Sequence, residues 1–300
     1  MKKRSFTLIE LLVVIALIGL LASIILVSLK GTTKKAKIAS GLQFSQSIQH
    51  ALGADAVGIW GFDDCTANDA SGYGNNGTIN GASCTDDTPH KIVGQGSGKN
   101  ALSFNGVGDY VEISDPGDSS IFDISNKITI EAWFKLADQN NWKRIVVKSH
   151  TSNTEPYTMY GILMVGGTAC GDEQQGQVRF ELASGGKQHI VHSTTKVPIG
   201  NWVHAVVTYD GSSMKLYYNG KLESGQICRY LVGYVDNLLT GEIDTNNMPI
   251  SIGRSGFGSD YFNGLIDEVR IYAQALTQAE IQKHYAEGLE RHKDLALQEP

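Results

Sequence analysis

Two kinds of hydrophobic pattern divide the chain. From Phe6 to Leu29, FTLIELLVVIALIGLLASIILVSL is apolar throughout except for one carboxylate, Glu10. About 24 residues at about 1.5 Å each give a helix of about 36 Å, enough to cross a bilayer core of about 30 Å. Beyond it, Ile38, Leu42, Ser45 and Gln49 recur with a weak helical period, so the helix is expected to run over 6–52, with the span at 6–29. Gly31 and Gly41 weaken that continuation. From Val57 the period becomes two. KITIEAWFKL puts Ile128, Ile130, Ala132 and Phe134 on one face and Thr129, Glu131, Trp133 and Lys135 on the other. NWVHAVVTYDGSSMKLYYNGK reads as two strands joined at Asp210-Gly211, with a second turn at Asn219-Gly220. RIVVKS, YGILMV, QVRFELA, QHIVHS, PISIG and GLIDEVRIY extend the series without intervening helices, which predicts an all-β, two-sheet sandwich. Thr277 and Glu280 form a capping box that opens a short C-terminal helix, and 289–300 is a polar tail.

A carboxylate in a membrane span costs about 2.5–3.5 kcal/mol on insertion scales, so Glu10 calls for a cationic partner. The apolar run exceeds the about 7–15 residues of a secretory signal, and no small-residue cleavage site follows Leu29. The small residue stands before the run instead: Met1-Lys2-Lys3-Arg4-Ser5, then Phe6-Thr7-Leu8-Ile9-Glu10. These residues resemble the type IV pilins and the pseudopilins of type II secretion over about the first 30 positions. The resemblance implies a leader at 1–5, cleavage by prepilin peptidase between Ser5 and Phe6, and methylation of the new Phe6 amine. Ser5 stands where that family usually has glycine. The resemblance also answers the question of Glu10: its carboxylate faces the Phe6 ammonium of a neighbouring pilin subunit and sets the register of a helical filament. The precursor is then expected in the inner membrane and the assembled chain in an extracellular filament at the cell surface. Lysines flank the span on both sides, so charge alone does not orient it; the leader and the cysteines put the C-terminal mass outside.

A second resemblance covers about 57–288. GIWGFDD…NDASGYGNNGT, ALSFNGVGDYVEI, ITIEAWFK, NWVHAVVTYDGSSMKLYYNG and FNGLIDEVRIYAQALTQAEI are similar, in that order, to laminin-G-like, concanavalin A-like jelly rolls. The resemblance implies a curved sandwich that binds glycan or protein, and it names no single ligand.

Composition narrows the chemistry. A net charge of −6 argues against nucleic acid as partner. Four cysteines in an exported chain suggest two disulfides. Three connectivities are open; Cys65–Cys84 with Cys170–Cys228 is preferred because the first two flank one compact Gly/Asn-rich loop. In NDASGYGNNG, Asp69 and Ser71 have the spacing of alternate oxygen ligands for calcium, with Gly74 permitting a sharp turn. Tyr73 and Asn80 break the EF-hand pattern. The jelly-roll resemblance adds Asp267 as a ligand from the last strand. The competing reading is an Asx-turn in which Asp69 caps its own backbone.

No enzyme is expected. The hydrolases of this fold use Glu-x-Asp-x-(x)-Glu, whose nearest counterpart, Glu242-Ile243-Asp244, is followed by Asn246 and Asn247. Asp267 and Glu268 are adjacent and should point to opposite sheet faces. Trp142, Tyr157, Tyr160, Phe257 and Tyr261 are candidate ring platforms for sugar; Trp60, Trp133 and Trp202 lie within strands and read as packing. His150, His189, His192 and His204 show no ligand spacing. The joint expectation is a minor or specialised pilin carrying an adhesive, lectin-like head. A secretion pseudopilin that grips cargo and a pilin-anchored glycan-active enzyme are the alternatives.

Overall fold

The computed structural model describes residues 56–290 except 90–99, 141, 153, 168–169, 171–173, 225–226, 230–232, 235–238 and 240. Ser5, Phe6, Glu10 and the helix expected over 6–52 lie outside the described residues. None of the described helices is long and apolar enough to cross a membrane.

The strands, in chain order, are β1 (Ala56–Trp60), β2 (Thr78–Asn80), β3 (Ser83–Thr85), β4 (Ala101–Asn105), β5 (Tyr110–Ile113), β6 (Ile128–Leu136), β7 (Lys143–Ser149), β8 (Thr158–Met164) and β9 (Gln177–Ser184). They continue with β10 (Lys187–Lys196), β11 (Trp202–Tyr209), β12 (Met214–Tyr218), β13 (Lys221–Ser224), β14 (Cys228–Arg229), β15 (Gly233–Tyr234), β16 (Ile250–Ile252) and β17 (Asn263–Tyr272). One helix, α1 (Gln278–Glu290), follows them. Sheet one has the order β13-β12-β11-β6-β17-β4-β3, with β1 also paired to β17. Sheet two has the order β15-β14-β10-β9-β8-β7-β16-β5-β2. The non-sequential order is the sandwich the strand pattern predicts.

The period of two decides the core. Ile128, Ile130, Ala132 and Phe134 of β6 point inward, and Val178, Phe180 and Leu182 of β9 meet them from the other sheet. The turns follow their sequences. Asp210 accepts the Ser212 and Ser213 N–H groups with one carboxylate oxygen. Asn219 and Gly220 both have positive φ, 49° and 75°, as a two-residue hairpin of this kind requires.

Sheet one is covered on its outer face as well. Thr129 and Glu131, on the face opposite the inward set, are fully buried. The cause is α1, which lies over the sheet. Its capping box forms as expected: Thr277 N–H donates to Glu280 Oε2 at 2.7 Å, and Glu280 N–H to Thr277 Oγ1 at 3.3 Å. Ile281 then packs with Val206, Tyr217, Tyr272 and Leu276. Tyr285 stacks on Trp133 at 5.6 Å between ring centroids. Gly288 allows this approach, since a Cβ there would lie 2.8 Å from the Trp133 ring.

Beneath the helix, Glu131 collects partners from three elements. His204 of β11 donates to Oε1 at 3.0 Å, Arg270 of β17 to Oε1 at 3.1 Å, and His284 of α1 to Oε2 at 2.8 Å. Burial pushes this carboxyl up, but the charges of Arg270 and His284 and the two histidine hydrogen bonds outweigh it and hold it well below the usual range. Arg270 also reaches Glu268. That contact exists because β17 carries a bulge between Asp267 and Arg270, with Glu268 at φ 47°. Ile266, Val269 and Ile271 remain in the core, so Asp267 and Glu268 both turn to the outer face. The expectation that these neighbours face opposite sides is therefore corrected, because the extra residue resets the alternation.

A group whose folded pKa is depressed stabilises the fold above its unfolded value and loses that contribution as pH falls. Wild-type stability should therefore fall steeply below about pH 4.3, the ordinary glutamate value. Glu131→Gln should flatten this acid limb, and Glu131→Ala should cost about 3–5 kcal/mol by leaving buried cations unpaired. Urea denaturation across pH measures both.

Candidate binding face

The loop carrying Asp69 is built around that side chain. Oδ1 accepts the Ile59 N–H at 3.0 Å and the Ser71 N–H at 2.8 Å. Oδ2 accepts the Ser71 hydroxyl at 2.7 Å and the Asn75 N–H at 2.9 Å. Four donors use the lone pairs a cation would need. Ser71 Oγ in turn accepts the Tyr73 N–H at 3.3 Å. Asp267 stands on the outer face of sheet one opposite Trp133, where its Oδ1 accepts the Glu268 N–H at 2.8 Å. The described residues contain no group of three or more His, Cys, Asp or Glu placed to hold a metal ion. In this arrangement Asp69 forms the Asx-turn, which ties the loop to β1.

The disulfides join Cys65 to Cys84 and Cys170 to Cys228. The first closes the Asp69 loop onto β3. The second lies with Ile190 of β10 on the outer face of sheet two.

That outer face carries a strip of aromatic and charged groups. Arg179 and Glu181 project outward from β9, alternating with its core residues. The Arg179 guanidinium lies over the Trp142 ring, 5.0 Å from its centroid, and 3.0 Å from Glu181 Oε1. Arg144 of β7 reaches Glu181 Oε2 at 3.3 Å and Asp260 Oδ2 at 3.1 Å. Asp260 belongs to the loop between β16 and β17, and its carbonyl accepts the Arg144 N–H at 3.1 Å, docking that loop beside β7. Tyr261 follows in the same loop, and Phe257 is 40% exposed there. Further along, Arg254 lies 3.4 Å over the Tyr110 ring and pairs with Glu112 at 2.7 Å. Burial raises the Glu181 carboxyl, but Arg179 and Arg144 together bring it below its usual range. The result is a row of guanidinium and carboxylate groups edged by rings, in which Arg179 and Glu181 are buried and Arg144 is partly exposed.

The expected ring platforms divide. Trp142, Phe257 and Tyr261 border this strip. Tyr160 does not: it is buried in the core and its hydroxyl donates to the Phe122 carbonyl at 3.0 Å, because its register on β8 turns it inward. Trp60 is core, as expected, and its indole donates to Asn75 O at 2.9 Å. The Trp202 indole donates to Asp87 at 3.1 Å. Asp244 is a loop clip, accepting Gly185 and Gly186 N–H groups at 3.0 and 2.8 Å. Arg144, Arg179, Glu181 and Asp260 were not singled out by sequence. The charge alternation in QVRFELA signals only an outward row; what it meets depends on loops distant in the chain.

Comparison with known proteins agrees with this geometry. Residues 105–282 match the family described as the concanavalin A-like lectin/glucanases superfamily, and residues 1–26 match the prokaryotic N-terminal methylation motif. The domain 4 structure of AbnA, a GH43 extracellular arabinanase of Geobacillus stearothermophilus, in complex with arabinotriose, is similar with a TM-score of 0.52 and 20% identity. That match covers 76% of this chain and 97% of the other. The binding domain of Paraclostridial Mosquitocidal Protein 1 aligns at TM-score 0.56 and 17% identity, over 78% of this chain and 52% of that one. The binding domain of Botulinum Neurotoxin DC, in complex with SialylT, aligns at 0.54 and 15%, over 79% and 52%. Among curated proteins, Adhesion G-protein coupled receptor V1 of Danio rerio is 24% identical over 188 residues, which are 62% of this chain and 3% of that protein's length.

Asp69→Ala should destabilise the sandwich by about 1–3 kcal/mol, since partly buried donors lose their shared acceptor. Thermal unfolding of the wild type should be the same in calcium and in chelator; a clear rise with calcium would restore the metal reading.

Proposed function

Because the chain belongs to the concanavalin A-like lectin/glucanases superfamily and begins with the prokaryotic N-terminal methylation motif, we propose that it is a type IV pilin-like filament subunit displaying an adhesive, glycan-binding head. The observation that carries this reading is the union of the two segments in one chain. The first 26 residues match the prokaryotic N-terminal methylation motif, and residues 105–282 match the concanavalin A-like lectin/glucanases superfamily.

In this reading prepilin peptidase cuts after Ser5 and the Phe6 amine is methylated. The inner membrane holds the precursor. Glu10 then pairs with the Phe6 ammonium of an adjoining subunit, which neutralises two charges that would each be costly in an apolar filament core. The head is a non-catalytic binding module. Support for glycan as its ligand comes from the strip on sheet two. Rings border the strip, and the partly exposed Arg144 offers a guanidinium held in place by the buried Glu181 beneath it. Two structures of similar fold hold arabinotriose and SialylT, consistent with this use of the architecture.

A glycan array probed with the full chain in detergent should show calcium-independent binding, weakened about tenfold or more by Trp142→Ala; no binding to any glycan, with or without calcium, would overturn the lectin assignment. Separately, Glu10→Ala should insert in the membrane and be processed but yield no fibres on electron microscopy. Normal fibres from that variant would remove the charge-pair account of assembly, and wild-type chain confined to the cell envelope would favour a secretion pseudopilin.

A further inference from the structure

Inside the sandwich, Lys148 and Asp115 form an ion pair whose side chains are both fully buried. Lys148 lies on β7 between Tyr160 of β8 and Ile250 of β16, its register partners, and both of those belong to the core. Its ammonium is therefore carried into an apolar interior at a position where alternation calls for a hydrophobic residue. Asp115 is in the loop leaving β5. Its Oδ2 meets Lys148 Nζ, and its Oδ1 accepts the Gly117 N–H at 2.9 Å.

A second carboxylate shares the surroundings of Tyr160. Burial first, then the charges of Asp115 and Asp123, push the Tyr160 hydroxyl well above its ordinary pKa, so both acids lie around it. Asp123 Oδ2 accepts the Ser120 N–H at 3.1 Å, while its buried Oδ1 has no hydrogen-bond partner. A buried ion pair is weak support for a fold, because desolvation of the two charges offsets their attraction. An amine and a carboxyl held together away from solvent have a further course open to them.

We propose that Lys148 and Asp115 condense to an intramolecular amide between Nζ and Cγ. A proton passes from the ammonium to Asp115 Oδ2, leaving a neutral amine beside a carboxylic acid. The amine lone pair attacks Cγ, and the electron pair of the C–O double bond moves to Oδ1, where the Gly117 N–H is already placed to stabilise it. Asp123 Oδ1 takes one proton from the nitrogen and returns it to the Oδ2 hydroxyl. Oδ2 leaves as water and the Oδ1 carbonyl re-forms. One N–C bond is made, one C–O bond is broken, and no oxidant, reductant or cofactor is consumed. Proximity supplies the main advantage, since both reactants are fixed by the fold before the step begins. The product bridges residues 33 apart in sequence and replaces two buried charges by one neutral amide.

The test is mass spectrometry of the full chain, purified, denatured and reduced. The expected intact mass is lower by one water than that of the processed sequence, and proteolysis should release one branched peptide joining the segments around Asp115 and Lys148. Lys148→Met, an apolar replacement of similar length, should abolish the branch. Asp123→Asn should leave most molecules uncondensed in chain of wild-type circular dichroism, as expected of a proton carrier and not of a packing residue. Recovery of both wild-type peptides unbranched, without the loss of water, overturns the proposal, and this readout does not depend on any variant folding. Complete branching in Asp123→Asn overturns the role given to Asp123.

Discussion

The carboxylate of Glu131 organises one half of the molecule. It sits on β6, in the interior of sheet one, and receives hydrogen bonds from β11, β17 and α1. Left without them, a buried anion would cost several kcal/mol. With them, the anion specifies how the helix crosses the sheet, because only one placement of α1 brings His284 to Oε2 while Tyr285 stacks on Trp133. The bulge in β17 serves the same arrangement, turning Glu268 outward to share Arg270. Strongly perturbed groups often mark reactive sites. Here the perturbation belongs to architecture, since the helix closes over the cluster.

Both sheets bury charge on their outer faces. On sheet one Glu131 is shut away under a helix. On sheet two, basic and acidic side chains alternate in a row along strands β7 and β9, tied to a loop through Asp260 and edged by Trp142. Arg144 and Arg179 share the two oxygens of Glu181, so the row is rigid before any ligand arrives. Arg179 and Glu181 are themselves buried, so the row holds the partly exposed Arg144 in place, and a side chain already fixed loses little freedom on binding.

Much of this fold was legible. The alternation in KITIEAWFKL assigned the inward face of β6 correctly, Asn219-Gly220 fixed a hairpin through its positive φ pair, and Thr277 with Glu280 marked the start of α1. What could not be read was anything that depended on a third element. The burial of Glu131 could not be read locally because the helix that covers it lies some 150 residues later in the chain. Asp267 and Glu268 looked opposed because a bulge leaves no mark in a local pattern. The Asp69 loop had the spacing of a cation site, but its own backbone N–H groups reach the carboxylate first. The Arg144–Glu181–Asp260 row joins three segments whose closeness only sheet order supplies.

The short strand β1 has a mechanical meaning. The chain passes from residue 55 directly into Ala56, and Ala56–Trp60 pairs with β17, an interior strand of sheet one. Any pull arriving through the N-terminal segment is therefore delivered first to that five-residue ribbon. Trp60 acts as its peg, sunk in the core with its indole latched to the Asn75 carbonyl. Asn75 in turn grips the Val57 carbonyl and, through its N–H, Asp69. The loop with the spacing of a calcium site thus ties β1 into the sandwich.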